Sequence, residues 1–159
     1  MNDELYRNIT ARSGVELRPA NEDGIRQLQA LSFPLNAVAF YRTAEPTSCA
    51  EINEARLLPI HDVVEENTNY VPGAYIHPHG YVVVATTIFD DVYCFDLNHA
   101  TSSATAPVVL LSHEMIGSDS TKDEVERLAK RVAPAFDRFL ESFGAGTLDK
   151  VPNYEFRRE

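Results

Sequence analysis

Strands gathered in the middle of the chain, with helices before and after them, predict an α+β fold. Two observations carry this expectation. Residues 81–111 concentrate Val, Ile, Thr, Tyr and Phe into short runs that suit a pleated surface. On either side, apolar residues recur at helical spacing, and no helical segment alternates with the strands.

Residues 1–20 are mixed and polar, without a sustained period, and read as an N-terminal arm or a first element. Helical order starts at Asn21, a good N-cap, with Glu22 and Asp23 in the first turn and Ile25, Leu28 and Leu31 along one side. Pro34 interrupts that pattern and opens a second helix through Leu35, Val38 and Ala39, which Pro46 and Thr47-Ser48 end. Leu57 to Ile60 is a short apolar run, and His61 to Asn69 a polar, partly helical link. Tyr75-Ile76 begins a second β-prone run. Tyr81 to Phe89 and Val92 to Leu97 read as the two arms of a hairpin turning at Asp90-Asp91, since Asp tolerates left-handed backbone. Pro107 to Leu111 supplies another strand. Thr121 to Glu124 has the form of a capping box, and Val125, Leu128, Ala129 and Val132 continue at helical spacing. After Pro134, Phe136, Phe139, Leu140 and Phe143 define a last helix that Gly144 is placed to end. A tail follows from 149 to 159, so 21–148 is the expected domain.

At 159 residues the chain suits one domain and can bury a core without metal or disulfide. Its N-terminus carries acidic residues and no apolar segment behind them, so no secretory signal is expected. The two cysteines, Cys49 and Cys94, belong to no metal-spacing motif and read as reduced thiols of a cytoplasmic protein. A formal charge of −10 argues against nucleic acid and anionic membrane as ligands, because both require clustered Lys and Arg. The same charge permits steering toward a basic partner, and equally serves solubility.

Few residues offer chemistry. His77 and His79 are spaced to share one face of a strand, as metal-binding pairs are, but Pro78 and Gly80 favour an exposed loop instead. His113-Glu114 could form part of a general base, yet no nucleophile stands in a recognisable setting. Neither phosphate-binding glycine pattern occurs. The stripe Phe136, Phe139, Phe143 reads as core. Acidic residues Asp62, Glu65, Glu66, Asp90 and Asp91 fall in expected links and turns, where they form either a solvated surface or a patch for a basic partner.

From Leu28 to Leu148 the chain resembles the SUKH superfamily. The resemblance rests on Leu31-Ser-Phe-Pro34 and Phe40-Tyr41, then Leu57-Leu-Pro59-Ile60 through Val63-Val64 to Asn67. It continues in Val84-Ala85 leading to Asp91-Val-Tyr93-Cys94-Phe95-Asp96, and in Ala135-Phe136-Asp-Arg-Phe139-Leu140. The family's Asn-Gly after the second helix is missing, with Glu45-Pro46 near that place, and its hairpin glycine is Asp90 here. The resemblance implies a mixed, mostly antiparallel sheet backed by helices. It also implies a non-catalytic, cofactor-free immunity protein that binds a toxin of nuclease or deaminase type, with regulation or scaffolding in signalling or cell-wall control as the alternative. A metal-dependent enzyme built on His77 and His79 is a minor alternative.

Overall fold

The structure, a computed structural model, describes residues 3–150. Its first helix, α1 (Asp3–Ser13), occupies the opening stretch that lacked a period. Its one fully buried position, Ile9, is too little to mark a helix in sequence. A two-residue strand β1 (Leu17–Arg18) leads to α2 (Glu22–Ala30), where the Asn21 side chain accepts the Gly24 N–H at 2.7 Å, as expected of an N-cap. Pro34 precedes α3 (Leu35–Ala44). No side chain caps α3; instead the Leu35 and Asn36 N–H groups donate to the carbonyls of Ser103 and Ala104.

Next come β2 (Glu45–Pro46), which pairs with β1, and a tight hairpin of β3 (Ala50–Ile52) and β4 (Ala55–Leu57). The polar link is the helix α4 (Ile60–Thr68), followed by a single turn, α5 (Gly73–Ile76). The expected β-run at Tyr75-Ile76 is therefore helical. Pro72 accepts from the Ile76 N–H and closes the turn locally, and a 3-10 turn at His77–His79 follows directly. The hairpin of β5 (Tyr81–Thr87) and β6 (Val92–Asp96) stands as expected, with Asp90 left-handed at φ 69°.

After β7 (Val108–Leu111) the chain makes an excursion that carries α6 (Lys122–Leu128). The Thr121–Glu124 capping box is formed, but the helix stops at Leu128, and the chain turns into β8 (Lys130–Ala133). Ala129 caps the helix, and the helical spacing that runs on to Val132 is coincidental, because residues 130–133 form the edge strand paired with β7. The last helix, α7 (Phe136–Ala145), ends at Gly146, whose φ of +72° favours a residue without Cβ. Gly144, expected to end it, lies inside the helix facing Leu5 of α1.

Strands β3 to β8 form one six-stranded sheet in chain order, every pair antiparallel. The fold is α+β, and the described sheets hold no parallel pair, so the mixed character implied by the resemblance is absent. Strands β5 and β6 are buried on both faces. On one face Tyr93 packs edge-on against Phe139, and Phe95 against Phe33 and Phe136, so the stripe on α7 is core as expected. On the other face lie α4 and α5. Gly73 of α5 sits against the Glu66 carbonyl and the Val83 side chain.

Candidate interaction surface

Helix α4 turns Ile60, Val63 and Asn67 inward, at i, i+3 and i+7, and leaves its acidic residues outward. Its N-terminus is capped from outside: the Glu45 carboxylate accepts the Ile60 N–H at 2.8 Å. Four residues apart on this helix, Asp62 and Glu66 share one side. Burial raises the Glu66 carboxyl above its usual range, and the neighbouring charges of Asp90 and Asp62 push the same way, against the pull of Arg56. Asp62 and Asp90 thus lie near enough to Glu66 for their charges to act on it, with Arg56 opposing them. Arg56 is held by β4 and donates to the Thr87 carbonyl at 3.0 Å.

Two of the five expected acidic residues lie apart from this group. Glu65 points elsewhere on α4 and accepts from Asn69 at 2.9 Å. Asp91 was expected to be exposed at the turn but is buried, with its Oδ1 accepting from the His113 backbone N–H and from His113 Nδ1 at 3.0 and 2.8 Å. Its partner lies far along the sequence, so nothing local distinguishes Asp91 from Asp90.

Of the histidine candidates, His79 and His113 have hydrogen-bond partners, whereas His77 Nε2 is buried without one. His77 and His79 sit in the 3-10 turn, where His79 Nε2 contacts the Ser120 carbonyl at 3.1 Å. Among the described residues no three His, Cys, Asp or Glu side chains converge as metal ligands would. His113 is engaged by Asp91, and Glu114 is exposed beside it. Cys49 donates to Asp62 at 3.3 Å; burial and this bond push its thiol up to about 11. Its thiolate fraction near neutrality is then about 100-fold below that of an unperturbed cysteine. Native protein should accordingly react slowly with a disulfide reagent at pH 7, and the rate should rise about tenfold per pH unit as the raised thiol ionises. Fast labelling of either cysteine at pH 7 would contradict this, since Cys94 is wholly buried and raised as well.

Sequence reasoning overlooked two residues on this surface, Ile88 and Phe89. They occupy the β5–β6 turn, at 37% and 54% exposure. The sequence does carry a signal, because turns ordinarily draw Gly, Pro, Asn, Asp and Ser, and two large apolar residues there serve no turn geometry.

The arrangement is a six-stranded antiparallel meander with helices on both faces and acidic side chains on the outer side of α4 and in the β5–β6 turn. The profile of the SMI1 / KNR4 family (SUKH-1) matches residues 19–142. The chain belongs to that family. A search among curated proteins gives no match. The family is generally one of non-catalytic immunity or regulatory domains, which fits a protein partner. No helix among the described residues is long and apolar enough to cross a membrane.

Proposed function

We propose that this chain is an immunity protein, which binds a cognate protein toxin and blocks it without catalysing a reaction. Family membership supplies the class. The observation that carries the reading further is the grouping of Asp62, Glu66 and Asp90 on a chain of formal charge −10. A negative field of this kind speeds encounter with a basic protein and orients it. Toxins that act on nucleic acids, nucleases and deaminases among them, present basic surfaces to their own substrates. An acidic binder competes for that surface, so the toxin's chemistry is the reason for the inhibitor's charge.

The test is affinity purification of the tagged chain from its native cell, followed by coexpression with whatever partner is recovered. A stoichiometric partner bearing a toxin domain, whose toxicity the chain suppresses, is the expected result. Recovery of signalling or cell-wall proteins in its place would overturn the reading in favour of a regulatory scaffold.

The acidic group makes a graded prediction for that complex. Changing Asp62, Glu66 or Asp90 to Lys should slow association about tenfold or more at low salt. Glu65→Lys should do less, because Glu65 stands outside the group. Asp91 belongs to the fold, so its replacement should lower stability before it touches the association rate. Stopped-flow association rates at two salt concentrations, with melting curves of each variant, would check the series.

A further inference from the structure

The turn between β5 and β6 is held by its own backbone more firmly than its exposure suggests. The Ile88 N–H donates to the Glu54 carbonyl at 2.9 Å, which ties the tip to the β3–β4 hairpin. Thr87 organises the rest. Its N–H donates to the Asp91 carbonyl at 2.8 Å, its carbonyl accepts from Asp90, and its hydroxyl accepts from the Phe89 and Asp91 N–H groups. Asp90 completes the turn in a left-handed conformation at φ 69°. Every one of these contacts is made by backbone or by Thr87, and none uses the side chains of Ile88 or Phe89. The turn would close without these side chains, yet Phe89 at 54% exposure and, less so, Ile88 at 37% keep apolar surface in contact with water. A preorganised tip that presents unused apolar surface is suited to receive a partner, because little ordering entropy is lost on binding.

What surrounds the tip selects that partner. Asp90 is exposed and adjoins Phe89 in the turn, its charge reaches Glu66 on α4, and Arg56 donates to the Thr87 carbonyl at the base of the turn at 3.0 Å. An apolar pair inside an acidic rim is complementary to an apolar side chain flanked by cations. Met115, 53% exposed, lies two residues beyond His113, which Asp91 holds beside the same turn.

We propose that the β5–β6 tip is the apolar anchor of the partner interface, and that its occupant is a cationic polypeptide segment. Ile88 and Phe89 receive a large aliphatic or aromatic side chain of that segment, and Asp90 and Glu66 receive the Arg or Lys residues beside it. This rests on the protein-binding reading above but commits it to one place and one chemistry. Interfaces draw their energy from a few buried aromatic and Arg anchors inside a rim that excludes water, and the tip has the parts for such a centre.

The test uses the full chain and two synthetic peptides. One is arginine-rich with a central Leu-Phe pair; the other has Ser-Ser in place of that pair. Amide chemical shifts report where each binds, and titration reports how tightly. The Leu-Phe peptide should bind about tenfold more tightly than its Ser-Ser counterpart, with shifts centred on residues 66 and 87–91. Phe89→Ser should erase the difference between the peptides while leaving the melting temperature unchanged, and Asp90→Asn should weaken both. Equal affinities, or shifts centred elsewhere such as on α1, would overturn the proposal. So would a tenfold preference that survives Phe89→Ser. None of these measurements involves a toxin. A cognate toxin whose affinity ignores Phe89→Ser would remove the anchor and leave the immunity reading standing. Failure to find any toxin, with peptide binding as described, would do the reverse.

Discussion

Alanine at position 73 is expected to destabilise this protein by about 3 kcal/mol or more, which lowers its melting temperature by about 10 °C. Helix propensity argues the other way, since alanine in a helix is worth about 1 kcal/mol over glycine. Packing decides the sign. A Cβ at Gly73 would overlap the carbonyl oxygen of Glu66, with the Glu66 carbonyl carbon at 2.9 Å and Val83 Cγ2 at 3.1 Å. The first two are backbone atoms of α4 that cannot rotate away. Either α5 lifts from the sheet or α4 shifts, and the cost of overpacking a rigid contact follows. Because α4 carries Asp62 and Glu66, the variant should also weaken partner binding without changing any charged residue. Thermal melting and an association rate for the same sample would show both effects. An unchanged or raised melting temperature would mean that α5 does not pack as described.

Replacing Asn67 by Leu should cost about 2–6 kcal/mol, because the buried N–H and C=O of Val83 lose their partner at about 1–3 kcal/mol each. The end of β4 explains why they depend on a side chain. Strand β4 makes its last bond to β5 through Leu58, whose N–H donates to the Val84 carbonyl, and Pro59 follows at once. Proline has no N–H to offer, and the chain leaves the sheet there to start α4. Asn67 fills the place of the missing strand. Its Oδ1 accepts the Val83 N–H at 2.8 Å, and its Nδ2 donates to the carbonyls of Val83 and Val63 at 2.9 and 2.8 Å. Leucine has nearly the same size, so the loss isolates hydrogen bonding from volume. Asn67→Asp would be more informative still. A buried aspartate favours its protonated form, so its folded-state pKa lies above the unfolded value. That variant should regain stability as pH falls through the raised pKa and lose it as pH rises, the opposite of ordinary acid denaturation. Chemical denaturation at pH 4 and pH 7 would separate the two variants.

What the sequence disclosed and what it hid divide along the range of the interactions involved. Asn21, Asp90 and the Thr121–Glu124 box act on backbone within a few residues of themselves, and each was legible. The α+β class followed from the strongly β-prone segments of β5, β6 and β7. Strands β3 and β8 were not legible, because each is short and exists through its neighbour: Lys130 and Arg131 carry no strand pattern, yet pair with Leu110 and Val109. Likewise α5 looked extended, since Tyr75 and Ile76 suit strands, until Pro72 closed it into a turn. The acidic surface shows the same division. Treating 61–69 as a link hid the helical spacing that puts Asp62 and Glu66 on one side and Glu65 on another. Asp91 was hidden for a different reason, since only the fold brings His113 to it.

The chain-order sheet has a consequence for how this protein reaches its native state. Each of the six strands bonds only to the strands next to it along the chain. Most closures are therefore short, and the entropy each demands grows only slowly with loop length. Topologies dominated by such nearby pairings fold faster than sandwiches and barrels of similar size. The β4–β5 connection, residues 58–80, is the longest in the sheet, so the pairing of β4 with β5 waits on the largest closure. Amide exchange should accordingly be slowest in β5 and β6, enclosed on both faces, and quicken outward to β3 and β8, the two rims.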